Sequence, residues 1–138
     1  MNKKLVVLAI GLVLLMTAAA SAQTVHLKVN VPFNFIAGYT TFPAGQYDIQ
    51  STGDGDKVLS IRSLNSKAGA FLISNSCESL NPVASTKLVF HRYGYRYFVS
   101  EVWMQGDNTG HQVPASSREV EVAKDFSMDK VVLVAKRD

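Results

Sequence analysis

A long alternation of apolar and polar side chains over residues 24–35 constrains the fold more than any other feature. Its apolar positions are Val25, Leu27, Val29, Val31, Phe33 and Phe35. Successive side chains of a β-strand point to opposite faces of a sheet, whereas a helix would scatter these residues around its circumference. The pattern therefore predicts a half-buried strand. Pro32 has no N–H to donate to a ladder, so we expect the strand to bend or lose its pairing there.

Short apolar runs separated by turn residues continue along the rest of the chain. The runs lie at residues 46–50, 58–64, 68–74, 87–91, 95–104 and 131–135. Turn signals recur roughly every eight to twelve residues, a spacing typical of β-sandwiches and small barrels. We therefore predict a single all-β antiparallel domain, either a β-sandwich or a small β-barrel, with seven to nine strands and at most one short helix.

Residues 116–124 fit two local structures. Ser116 is a suitable N-cap with Glu119 three positions later, which together form a capping box. Val120 and Ala123 would then lie on one side of a helix. Val120 and Val122 also alternate with charged neighbours, so an extended conformation fits as well.

Residues 87–104 predict a β-hairpin around Gly94. A three-residue loop over residues 92–94 places Gly94 alone at positive φ, whereas a two-residue loop at Tyr93 and Gly94 forces a tyrosine there too. We favour the three-residue loop and leave the register open. In regular alternation Tyr95, Tyr97, Val99, Glu101 and Trp103 share one face of the outgoing strand. Neither face is wholly polar, so we expect both to be covered.

The N-terminus has the layout of a secretory signal peptide. Lys3 and Lys4 precede an apolar run over residues 5–16, and a small-x-small site follows at residues 20–22. The run is shorter than the roughly 20 residues that span a bilayer. We therefore predict a signal peptide over residues 1–22 and a β domain over residues 23–138. After cleavage no integral membrane segment would remain, and the protein would be periplasmic or secreted.

Charge and cysteine content exclude several classes of protein. The chain has 14 basic and 11 acidic residues, so removal of Lys3 and Lys4 leaves 12 against 11. Such a near-neutral domain lacks the many phosphate contacts that nucleic-acid binding needs, and we expect no nucleic-acid partner. Cys77 is the single cysteine, which rules out an intrachain disulfide. We expect it to be a small half-buried residue, with intermolecular pairing as the alternative.

No motif in the chain predicts catalysis, a metal site or a cofactor. A Gly-x-Ser-x-Gly elbow is absent, and His26, His91 and His111 are isolated from one another. Asp54 and Asp56 flank Gly55, but they lack the ligand series of a calcium loop and suit a solvated turn better. For Glu101 we expect an ion pair with Lys87, Arg96 or Arg92.

One cluster of aromatic and basic residues is the candidate recognition surface. It comprises His91, Arg92, Tyr93, Tyr95, Arg96, Tyr97 and Trp103. Aromatic faces stack on sugar rings or cations, and arginine binds carboxylates through two parallel hydrogen bonds. The alternative is that these side chains pack against each other across the strands.

Three segments occur here in a distinctive order. They are Val-Pro-Phe-Asn-Phe at residues 31–35, Pro-Ala-Gly-Gln-Tyr at residues 43–47 and Lys-Leu-Val-Phe-His-Arg-Tyr-Gly at residues 87–94. Together they resemble a group of small exported bacterial proteins of unknown function, and residues 113–119 are similar to a further stretch of that group. The resemblance covers most of the mature chain. It supports the β-domain prediction and implies no activity, ligand or catalytic residue.

These observations lead to three hypotheses about function. The first is an exported non-catalytic β-domain that binds or scaffolds outside the cytoplasm, with a cell-surface component or a small molecule as its partner. The second is a small carrier barrel for an apolar ligand, which requires an internal cavity of about 300 Å³ or more. The third is a hydrolase.

Overall fold

A computed structural model describes residues 24–137 of the chain, and the predicted signal peptide lies outside the described residues. The strands, in chain order, are β1 (His26–Val31), β2 (Phe35–Ala37), β3 (Thr40–Phe42), β4 (Gly45–Thr52), β5 (Val58–Ser63), β6 (Gly69–Ile73), β7 (Asn75–Glu78), β8 (Lys87–Tyr93), β9 (Arg96–Trp103), β10 (Thr109–Gln112), β11 (Met128–Val134) and β12 (Lys136–Arg137). A 3-10 turn covers Asp54–Asp56, and one α-helix, α1, covers Ser117–Ala123. Within the described range no helix is long and apolar enough to cross a membrane.

The strands form two sheets. The first has the order β12-β1-β4-β5-β6 and is antiparallel throughout. The second has the path β11-β8-β9-β10-β7, and β2 and β3 join it beside β9. β2 pairs with β9 in parallel through Ile36 and Phe98, whereas β10 pairs with Glu101 and Val102 at the other end of β9. The all-β prediction is confirmed, and the sheets do not close into a barrel.

The chain passes directly from one sheet to the other at two corners. β6 and β7 are separated only by Ser74, and β11 and β12 only by Ala135. Ser74 is buried, and its hydroxyl donates to the Lys57 carbonyl at 3.1 Å and lies 3.2 Å from Nδ1 of His111. This polar anchorage holds the first corner without exposing backbone groups to the core.

The two sheets face each other across one apolar core. Leu27, Ile49 and Leu59 from the first sheet meet Leu88 and Phe90 from the second, and all five are essentially inaccessible to solvent. The β2–β3 hairpin contributes two aromatic rings, because Phe35 and Phe42 stack at 5.2 Å and Phe35 lies edge-on to Phe90 at 5.5 Å. Burial of this area supplies the main stabilising free energy.

A second, smaller core lies on the outer side of the second sheet. Ile36, Tyr93 and Phe98 form its floor, and Val122 of α1 packs against them. β9 is therefore covered on both faces, as its mixed sequence predicts.

The first alternating segment breaks at proline as predicted. β1 ends at Val31, and regular pairing resumes only at Phe35 in the other sheet. This break, together with the short strands β3, β7, β10 and β12, explains why the strands outnumber the seven to nine expected. Residues 105–110 are rich in turn formers and predict a loop, but their last two residues, Thr109 and Gly110, begin β10, which pairs with β7 and β9.

The predicted hairpin at Gly94 is present, but its loop differs from both expected forms. Tyr93 pairs with Arg96, so the loop is Gly94 and Tyr95. Gly94 has φ +62°, and Tyr95 does not have positive φ. A glycine at the first central position is the requirement of a type II′ turn. The loop therefore starts two residues later than the three-residue loop that the sequence favours.

A β-bulge overturns the predicted faces of β9. Phe90 pairs with Val99 and Val89 pairs with Glu101, so Ser100 is an extra residue on β9. Val99 and Val102, three residues apart, both enter the core between the sheets. The expectation that Trp103 shares a face with Val99 is therefore wrong, because an inserted residue shifts the two-residue period by one.

Residues 117–123 are helical, and Ser116 is the N-cap, with its hydroxyl accepting from the Glu119 N–H at 3.2 Å. The reciprocal half of the capping box is not formed, since the Glu119 side chain turns to the sheet instead. The predicted apolar side is also wrong: Val122 and Glu119 are buried, whereas Val120 is exposed.

Candidate functional site

A surface groove of about 460 Å³ lies where the β2–β3 hairpin, the start of β9 and helix α1 meet. We call it the arginine groove and define it by residues 33–36, Thr41, residues 95–97 and Arg118. Its volume falls within the range of roughly 300–1,000 Å³ that small-molecule sites occupy. The residues of the groove come from four separate parts of the chain, so only the folded domain assembles it.

Phe33 and Tyr97 provide an aromatic wall of the arginine groove. Their rings stack with centroids 3.8 Å apart and planes 16° apart, and Phe33 also meets Phe90 edge-on at 5.0 Å. Pro32 ends β1, so Phe33 leaves the first sheet and reaches β9. The contact with Phe90 ties this wall to the core, which holds the two rings in a fixed orientation.

Tyr95 and Arg96 form the outer rim of the groove. Tyr95 occupies the second position of the type II′ loop, and 77% of its surface is exposed. The Arg96 guanidinium carbon lies 5.3 Å from the centre of the Tyr95 ring, a cation–π distance. This contact orients the guanidinium without neutralising its charge.

Arg118 brings a second positive charge to the groove. The ion pairs of the described residues engage Arg62, Arg92 and Lys124 together with two histidines, and none engages Arg96 or Arg118. Both groove arginines therefore lack a carboxylate within 4 Å in the part of the chain that the structure describes. One Arg96 nitrogen donates to the Tyr95 hydroxyl at 3.4 Å, and the other donors of both guanidinium groups have no partner among the described residues, so they are available to a ligand.

Asn34 and Thr41 add neutral polar groups. The side-chain oxygen of Asn34 accepts from the Ala44 N–H at 3.0 Å, which fixes the amide. Within residues 24–137 the Asn34 amide nitrogen and the Thr41 hydroxyl have no hydrogen-bond partner, so both are free to bind ligand hydroxyls.

A buried polar network holds the first turn of α1 against the second sheet. The Tyr93 hydroxyl donates to Oε2 of Glu119 at 2.9 Å, and Nδ1 of His91 lies 3.2 Å from the same oxygen. Burial, and then the hydrogen bond and charge of Glu119, raise the pKa of Tyr93 to about 12. Glu119 is 5% exposed. The loss of either partner would leave a buried carboxylate poorly paired.

Ser100, His91 and Glu119 follow the nucleophile–base–orienter order of a hydrolase triad. Oγ of Ser100 lies 2.9 Å from Nε2 of His91. Ser100 is only 3% exposed, so its hydroxyl is inaccessible to a substrate carbonyl in this conformation. A proton on Nδ1 of His91 lets the imidazole donate to Glu119 and accept from Ser100, which satisfies all three groups structurally.

The seven residues predicted as a recognition surface do not form one surface. The arginine groove includes Tyr95, Arg96 and Tyr97. His91 and Tyr93 contact Glu119 beneath α1 instead. Successive side chains along β8 and β9 point to alternate faces, so neighbouring residues in the sequence reach opposite sides of the sheet.

Arg92 and Trp103 also lie away from the groove. Arg92 donates to Asp129 at 2.9 Å, and this hydrogen bond raises the pKa of Arg92. Nε1 of Trp103 donates to Glu101 at 3.2 Å, and Lys87 lies 5.9 Å from the ring. Among the described residues Glu101 forms no ion pair, so the ion pair expected for it is a wrong prediction.

Sequence reasoning missed Phe33 and Arg118 as members of the site. The alternation places Phe33 on the apolar face of the first predicted strand, and Phe33 does pack partly against the core. Arg118 lies in a segment whose helix or strand state the sequence left open. Nothing in the local sequence marks Arg118 as a member of the site.

Burial also shifts the pKa values of Tyr47, Cys77 and His111, and it raises that of Tyr47. Burial raises the pKa of Cys77, and the charge of Glu101 raises it further. A raised pKa lowers the fraction of the reactive thiolate at neutral pH. Burial lowers the pKa of His111, against an opposing effect of Asp56. Within residues 24–137 no group of three His, Cys, Asp or Glu side chains is placed to hold a metal ion.

Over residues 24–137 the fold and the groove together define a two-sheet β domain with one short helix and a cationic, aromatic surface groove. Comparisons with protein-family models, with curated proteins and with solved structures find no match to this chain.

Proposed function

We propose that this protein is an exported, non-catalytic binding domain that holds saccharide rings of a cell-surface component in the arginine groove. The observation that carries the proposal is the juxtaposition of Tyr95 and Tyr97 with Asn34 and Thr41 in one groove. Sugar rings present apolar faces and peripheral hydroxyls at the same time. An aromatic wall with a few fixed polar groups is complementary to both.

The interior of the domain supports surface binding rather than the carrier alternative. The space between the sheets is occupied by fully buried side chains, among them Phe35, Phe42, Tyr47 and Phe90. An apolar ligand would have to displace these rings from contacts at 5.0–5.6 Å. Close-packed cores resist such a change.

Export is the other half of the proposal. Its support is the signal-peptide layout of residues 1–22. Expression of the full chain in a bacterial host, followed by mass measurement of the protein in the periplasm and medium, tests it. We expect a mature chain that begins at Gln23, and a full-length protein retained in the cytoplasm would contradict export.

Calorimetric titration with soluble neutral and acidic oligosaccharides tests the binding function. We expect Tyr95→Ala and Tyr97→Ala to weaken binding roughly 5- to 150-fold, since a stacked ring contributes about 1–3 kcal/mol in analogous ring-stacking sites. Phe71→Ala is the matched control, because Phe71 is 75% exposed on β6, outside the groove. Absence of binding to every sugar, or equal effects of the three variants, would refute the proposal, as would turnover of a bound sugar.

A further inference from the structure

Arg96 and Arg118 indicate which kind of saccharide the arginine groove prefers. Resting on the proposed saccharide-binding function, we infer that the arginine groove selects carboxylate-bearing sugars, whose carboxylate is bound by Arg96 and Arg118. Both residues line the groove, and within the described residues neither has an acidic partner. Planar guanidinium groups match a carboxylate through paired hydrogen bonds.

The aromatic rings and the charges have separable roles. Tyr97 lies against Phe33 and supplies a ring face, which neutral and acidic sugars contact equally. Arg96 lies over the Tyr95 ring and supplies positive charge beside that face. A carboxylate attached to a stacked sugar ring is therefore next to a guanidinium, whereas an ester or a hydroxymethyl group at the same position gains no charge-assisted bond.

Arg118 depends on the buried network for its position. It immediately precedes Glu119, which is held by Tyr93 and His91 on the second sheet. The hydroxyl of Ser117, on its other side, lies 2.9 Å from the hydroxyl of Tyr39 in the β2–β3 turn. The backbone of Arg118 is thus attached to the sheet and to the hairpin that forms the groove. Glu119 is accordingly a positioning residue for Arg118.

Oligogalacturonate and its fully methyl-esterified form are a matched pair of probes, because they share their rings and differ in charge. We expect the mature exported protein to bind the acidic form at least roughly tenfold more tightly. Arg96→Gln and Arg118→Gln should each weaken binding of the acid roughly 10- to 100-fold, as expected for hydrogen bonds to a charged group, and leave binding of the ester unchanged. Added salt should weaken only the acid complex.

Arg62→Gln is the matched control, since Arg62 is an exposed arginine on β5 in the other sheet. It should alter neither affinity. Glu119→Gln should lower the affinity for the acid more than that for the ester, because it loosens Arg118 but not Tyr97. A purely structural role of Glu119 would weaken both alike.

The outcomes separate this inference from the function on which it rests. Equal binding of the acid and the ester, sensitive to Tyr97→Ala but not to Arg96→Gln or Arg118→Gln, would overturn the inference and leave the saccharide function standing. A preference for the acid that Arg62→Gln removes as strongly would overturn it too. Failure of both probes and of all neutral sugars to bind would refute both.

Discussion

Oε2 of Glu119 accepts a hydrogen bond from the hydroxyl of Tyr93 at 2.9 Å, and this contact joins helix α1 to strand β8 across 26 residues of sequence. Both residues are buried, and His91 approaches the same oxygen. A seven-residue helix is too short to be stable alone, so its position depends on such tertiary contacts.

Tyr93→Phe removes the donor and keeps the ring. We expect it to lower the free energy of unfolding by about 1–3 kcal/mol, because the buried carboxylate of Glu119 loses a partner. Urea unfolding of Tyr93→Phe, Glu119→Gln and the double variant measures their coupling. Glu121→Gln, on the exposed side of the same helix, should change stability by less than about 0.5 kcal/mol. Additive effects of the two buried substitutions would show that the contact carries no energy.

Gly110 lies directly beneath the Trp103 indole. A Cβ at this position would come within 2.6 Å of two ring atoms, and the indole is held by its bond to Glu101. We expect Gly110→Ala to lower the free energy of unfolding by about 1–3 kcal/mol through this overlap. In a Trp103→Ala background the same substitution should lower the free energy of unfolding far less. Equal costs in the two backgrounds would place the strain elsewhere than at the indole.

The lowered pKa of His111 predicts that the folded domain loses stability as the pH falls. Burial lowers its pKa from 6.5, so between the folded and unfolded values the unfolded chain binds the additional proton. Its stabilising contribution is complete above about pH 6.5 and is lost as the pH falls from there through the lower pKa of the folded state. Urea unfolding from about pH 7.5 to pH 5.5 should show a smaller loss for His111→Asn than for the parent. Parallel profiles for the two proteins would rule out His111 as a source of the pH dependence.

Replacement of Phe98 and of Phe71 by alanine tests whether the outer face of β9 forms a packed core. Phe98 is 2% exposed and meets Tyr93 edge-on at 5.8 Å, so Phe98→Ala should cost about 3–5 kcal/mol in thermal or urea unfolding. Phe71 is exposed on β6, and Phe71→Ala should stay within about 0.5 kcal/mol. Similar costs for the two variants would mean that the outer face of β9 is not a packed core.

Much of the site depends on features that local sequence does not encode. Tyr95, Arg96 and Tyr97 are recognisable as candidates because aromatic and basic residues cluster there. Their separation from His91 and Tyr93 follows from the sheet, which sends alternate residues to opposite faces. The role of Ser100 depends on a bulge, and nothing in the Tyr97–Trp103 pattern marks where the extra residue falls.

The sequence alone determines that this chain forms strands. Alternation over residues 24–35, the break at Pro32 and the turn residues between apolar runs are local signals, and period and backbone geometry suffice to interpret them. The tertiary structure alone decides which strands pair, that residues 117–123 are helical and that Arg118 and Arg96 line the same groove. These outcomes depend on contacts between residues distant in the chain, because packing on the sheet outweighs the weak local preferences of a short segment.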